Sequence, residues 1–117
     1  MELIKFINIP HSEMDCWQLC QYFYREVFFK ELPDLYGTAP KDRECISVVG
    51  AGLNIFVKVE NPEFGDIVLM SIGGYPSHVG IYLGEGKVLQ TFQKTGSAIH
   101  PLSKWKKSII GFYKWPN

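Results

Sequence analysis

From Gly65 onward the period of this chain changes to two and its content becomes β-like, and this change constrains the fold more than any other feature. Side chains alternate between the two faces of a β-strand, so a period of two marks strands with one face buried. The segments DIVLMSI, SHVGIYL, KVLQTFQ, SAIHPL and SIIGFYKW carry it, and short GGYP, GEG and TG links separate the first four. Links this short join antiparallel neighbours, because a parallel pair needs a crossover of roughly a dozen residues or more.

Ahead of Gly65 the period is helical. Cys16, Leu19, Cys20, Phe23 and Val27 recur at i, i+3, i+4, i+7 and i+11, one apolar face of an α-helix. Ser12 followed three residues later by Asp15 reads as a capping box at its start. The helix should end before Leu32-Pro33, because proline disfavours helical geometry in the residue before it. After the turn-rich LPDLYGTAPKD, Asp42 is a candidate cap for a second helix through about Val59. The opening MELIKFINIP reads as a short strand or arm. Helices followed by a meander predict an α+β fold, with N-terminal helices packed on one face of a C-terminal antiparallel sheet. At 117 residues, with no linker or internal repeat, one domain spanning 1–117 is expected.

Composition narrows the function classes. Twelve Lys and Arg balance twelve Asp and Glu, so no excess positive charge draws the chain to nucleic acid or an anionic membrane. Lys94, Lys104, Lys106, Lys107 and Lys114 give the last quarter a basic lean that reads as a solvated face. No apolar run approaches the ~20 residues of a membrane span. The N-terminal residues lack the pattern of a signal peptide, so synthesis in a cytoplasm without a leader is expected. Cys16, Cys20 and Cys45 are an odd number, which leaves at least one free thiol. Cys16 and Cys20 have no two further ligands at coherent spacing, so no metal is expected, and no cofactor.

Cys16 stands at a helix start, where the first backbone N–H groups lack internal partners and the helix dipole is positive. A thiol there ionises readily, and the same N–H groups can hold the oxyanion of an acyl intermediate. Cys20, one turn further in, reads as an ordinary packing residue. A thiol nucleophile needs a base, commonly an imidazole, and the imidazole needs an orienting group. Among the three histidines, His11 adjoins the helix cap and His100, before Pro101, reads as a surface residue. His78 opens a strand, where a ring is held rigidly. Across the GEG link, Gln90 shares a face with His78 if Gly84, Glu85 and Gly86 form a three-residue loop with Gly86 left-handed. The Gln90 amide oxygen can then accept the imidazole N–H and fix its tautomer.

In this order and spacing the residues resemble the NlpC family of papain-like cell-wall cysteine peptidases. DCWQLCQYFYREVFFKELP is similar to the family's Asp-Cys helix, GDIVLM to its Gly-Asp strand, and SHVGIYLGEGKVLQ to its histidine hairpin. The resemblance implies Cys16 as nucleophile, His78 as base and Gln90 as the third catalytic residue. It also places Asp15, Trp17 and Ser77 as candidate substrate contacts, with capping the competing role for Asp15 and packing for Trp17. The implied reaction is hydrolysis of peptide bonds in peptidoglycan stems, by a thiolate paired with protonated His78. Met14 and Trp17 stand where many members have Tyr and Ser, and the Asp-Cys-Trp variant resembles domains of phage tail proteins. That implies a virion location, tail-protein partners and action at the bacterial wall. A catalytically inactive structural or wall-binding part of a tail tip is the alternative, and an acyltransferase or amidase on the same scaffold a third.

Overall fold

A computed structural model describes residues 2–33, 55–72 and 75–117. Helix α1 (Cys16–Phe28) is followed by strands β1 (Val57–Val59), β2 (Ile67–Ile72), β3 (Tyr75–Gly84), β4 (Lys87–Phe92), β5 (Gly96–Pro101) and β6 (Ile109–Lys114). They form one six-stranded sheet in the order β1-β6-β2-β3-β4-β5, and every neighbouring pair is antiparallel. The α+β expectation therefore holds. The proposed second helix does not hold at its end, where Val57–Val59 pair with β6 as a strand. The rest of that segment, like Cys45, lies outside the described residues.

Helix α1 starts one turn later than a Ser12 cap implies. Asp15 is the N-cap: Oδ1 accepts from the Gln18 backbone N–H at 2.9 Å, and Gln18 Oε1 accepts from the Asp15 N–H at 3.0 Å. This reciprocal box satisfies two donors that a helix start leaves open. Phe29, in the left-handed region at φ 57°, ends the helix.

Side-chain alternation sorts the sheet into two faces. Ile67, Leu69, Val79, Ile81 and Leu89 meet Trp17, Leu19, Cys20 and Phe23 of α1 in the main core. Val68, Met70 and Val88 point the other way, under Leu102 and Trp105 of a 3-10 helix (Leu102–Ser108). The second face is thus covered as well, which period-two patterning alone does not reveal. Gly65, at φ 93°, lets α1 approach β2: an added Cβ would lie 2.6 Å from the Phe28 ring. Tyr24 seals this contact by donating its hydroxyl to the Gly65 carbonyl at 2.5 Å.

Ahead of α1 the chain makes a 3-10 turn at Ile4–Phe6 and then runs as an arm along β5. The Asn8 N–H donates to the Ser97 carbonyl at 2.8 Å, and the Ser97 N–H to the Ile9 carbonyl at 2.9 Å. These bonds tie the start of the helix to the far edge of the sheet.

Candidate active site

Cys16 is the first residue of α1, directly after the Asp15 cap, and is half-buried. Backbone N–H groups of Val79, Trp17 and Cys16 itself stabilise its charged form. Val79 directly follows His78. The sulfur therefore lies against the stretch of β3 that carries the imidazole, although 62 positions separate the two residues in the chain numbering.

His78 sits where β3 is irregular. Met70 pairs with His78 but Ser71 pairs with Pro76, so Ser77 is an extra residue in β3. Such a bulge bends a strand and re-aims the neighbouring side chain. The His78 ring is 7% exposed and stacks on Phe92, with centroids 4.7 Å apart and planes at 10°. Its Nε2 lies 2.9 Å from Gln90 Oε1. An amide oxygen only accepts, so Nε2 carries the proton and Nδ1 keeps its lone pair.

Gln90 is fully buried on β4. The hairpin joining it to His78 pairs Tyr82 with Val88 and Gly84 with Lys87, a register shift at the turn. Gly84, Glu85 and Gly86 all have positive φ. The shift preserves the parity that puts positions 78 and 90 on one face. A Cβ at Gly80, the residue across from Gln90, would lie 2.8 Å from Val88 and 2.9 Å from the Leu89 carbonyl. Only glycine leaves the two strands this close beside the amide.

The titration behaviour differs from that expected of a helix-start thiol. Burial pushes the Cys16 thiol up to about 11, the Asp15 carboxylate adds to the rise, and the backbone N–H groups only partly offset it. Burial likewise lowers His78 to about 4, against the Gln90 hydrogen bond, with His11 and His100 lowering it further. The resting pair is therefore a neutral thiol and a neutral imidazole, not a thiolate with an imidazolium. Desolvation outweighs the helix start at this site. Cys20 is fully buried, with its thiol raised well above the ordinary value by burial.

The predicted substrate contacts fare differently. Asp15 spends its side chain on the cap. Trp17 is fully buried; its indole N–H donates to the Pro33 carbonyl at 2.9 Å and its ring meets Phe56 edge-on. It is a core residue and lines no surface. Ser77 lies on β3, and its side chain falls outside what the structure describes.

Two histidines join the site that the sequence reading set aside. His11, on the turn before α1, acts electrostatically on His78. His100, read as a surface residue, is half-buried on β5, with Nδ1 3.1 Å from Gln90 Nε2. The register Val88↔His100 puts it on the face of Gln90, a signal available only once β4 and β5 are paired. Among the described residues no cluster of His, Cys, Asp and Glu has the geometry of a metal site.

Sequence and structure comparisons agree on one relationship. The model of the NlpC/P60 family matches residues 8–114. The NlpC/p60 domain of the peptidoglycan hydrolase SagA superposes with a TM-score of 0.62 at 16% identity, over 95% of this chain and 91% of that one. The P60 domain of the Mycobacterium avium subspecies paratuberculosis antigen MAP1204 gives 0.56 at 21% identity, over 87% of this chain. A Staphylococcus aureus protein described as similar to lipoprotein, NLP/P60 family, gives 0.61 at 21%, over 93% of this chain. The chain spans 65% of the mycobacterial structure and 35% of the staphylococcal one. No curated protein is matched in sequence.

Proposed function

The chain belongs to the NlpC/P60 family, and from that premise we propose that it is a cysteine peptidase acting on peptide bonds in peptidoglycan stems. The observation that carries this reading is the contact of the Cys16 sulfur with the N–H of Val79, the residue next to His78, whose ring is bonded to Gln90.

Because the pair rests neutral, attack begins with proton transfer. His78 Nδ1 takes the Cys16 proton as sulfur adds to the scissile carbonyl. The oxyanion forms at the start of α1, beside the Cys16 N–H that also interacts with the sulfur. The imidazolium returns its proton to the leaving amine, giving a thioester and the first product. Water, deprotonated by His78, then releases the acyl group and restores the thiol. Gln90 contributes a neutral carbonyl, so it orients the ring and steadies the imidazolium less than a carboxylate would.

Digestion of purified peptidoglycan with mass spectrometry of the released fragments tests the reading. We expect new amine and carboxyl ends within stem peptides, absent with Cys16→Ala. Cleavage retained by that variant excludes the mechanism, and transfer or amide products point to an acyltransferase or amidase.

The raised thiol favours a second reading, a structural or wall-binding part of a phage tail tip that keeps the fold without turnover. Folded protein that binds walls without cutting them would establish it. The Asp-Cys-Trp variant also carries the proposal that the domain, whether active or not, rides on a phage tail with other tail proteins and meets the wall after delivery. Detection of the chain in purified virions tests that location.

A further inference from the structure

We propose that His100 is a positioning residue for His78, acting through the Gln90 amide, and that its protonation switches the catalytic base off. The inference rests on the peptidase reading for its consequence, but not for its geometry.

Three side chains form one line across the sheet. His78 Nε2 is 2.9 Å from Gln90 Oε1, and Gln90 Nε2 is 3.1 Å from His100 Nδ1. The Gln90 amide is fully buried, so neither end has water as an alternative partner. An amide has two chemically different ends, and only one orientation satisfies both rings. With His100 neutral and Nδ1 unprotonated, Nδ1 accepts from the amide NH2 and the amide oxygen must face His78. That holds His78 as the Nε2–H tautomer, with Nδ1 free to take a proton.

Protonation of His100 removes this acceptor. Two donors then face each other across 3.1 Å, and the amide turns over to present its oxygen to His100. Its NH2 group now points at His78 Nε2, which must become an acceptor. The His78 proton moves to Nδ1, and the base is lost although Cys16 and His78 have not moved.

The surroundings of His100 keep the active state. On its strand it faces Gln90 and Phe92 of β4, and its ring meets Trp105 edge-on at 6.2 Å. Lys104 of the 3-10 helix and His78 of β3 are the charged or titratable groups acting on it. Burial, and then Lys104, hold its protonation below the ordinary imidazole range. The acceptor form therefore persists at neutral pH.

Long-range proton–nitrogen NMR of the 15N-labelled protein reads each ring's tautomer without substrate. We expect His78 in the Nε2–H form in the wild type, and a change to Nδ1–H in step with protonation of His100 as pH falls. In His100→Phe the tautomer should become mixed, with kcat/KM on a stem peptide down ~10-fold or more, as for outer partners that fix an imidazole elsewhere. His100→Asn, whose oxygen can replace Nδ1, should restore both. A His78 tautomer that ignores both the titration of His100 and the loss of its ring overturns the proposal. If the wild type cuts no stem peptide the peptidase reading fails, and the NMR readout still decides this one.

Discussion

Acidification should destabilise this protein through a single buried ring. His78 is 7% exposed, stacked on Phe92 and bonded to Gln90, and it protonates at about 4 in the fold against 6.5 in an open chain. Between those values the unfolded chain binds the proton and the folded one does not. Stability is therefore present in full above pH 6.5 and falls as pH drops toward 4. At about 1.4 kcal/mol per pH unit, the interval amounts to roughly 3 kcal/mol, a large share of a small domain's stability. Urea unfolding followed by tryptophan fluorescence, from about pH 7.5 to about pH 4, measures it if the m-value stays constant. His78→Asn removes the titration while keeping a side chain able to donate toward Gln90. The difference between the two profiles isolates His78 from His11, His100 and the carboxylates. Parallel profiles would mean that the ring is solvated or paired with a charge, and would refute the neutral resting pair.

Three other outcomes follow from the same geometry. Alkylation of Cys16 by iodoacetamide should titrate near 11, and a midpoint below 9.0 would mean that the helix start outweighs desolvation. Gln90→Leu should leave His78 Nε2–H buried without an acceptor, costing ~1–3 kcal/mol of stability by thermal or urea unfolding. It should also lower turnover, whereas an unchanged rate would remove Gln90 from the mechanism. Asp15→Ala should cost ~1 kcal/mol through loss of the cap. A far larger loss of activity than of stability in that variant would restore Asp15 as a substrate contact.

What the sequence made legible was local. The apolar face of α1 was visible because Leu19, Cys20 and Phe23 repeat at helical spacing, and β2 to β6 because alternation and short links carry antiparallel pairing. The cap was misplaced because Ser12 and Asp15 mimic a capping box, while the pair formed is Asp15 and Gln18. Strand β1 was missed because its three residues, VKV, are too short a run to establish a period and fell at the end of the helix expected from Asp42. His78 and Gln90 came together through hairpin parity, which depends on nearby residues alone. His100 escaped because its place beside Gln90 depends on the β4–β5 register and on Trp105, which arrives from the 3-10 helix. The neutral state of Cys16 was also hidden: motif position reveals the helix start, but only the packed structure reveals the desolvation that opposes it.

Covalent trapping tests the central claim most directly. A stem-peptide analogue with an electrophilic carbon at the scissile position should form one adduct by intact mass, mapped to Cys16 and not to Cys20 or Cys45. His78→Ala should slow its formation by ~100-fold or more, the contribution of a positioned base. An adduct elsewhere, or a rate at Cys16 indifferent to His78, would contradict the account.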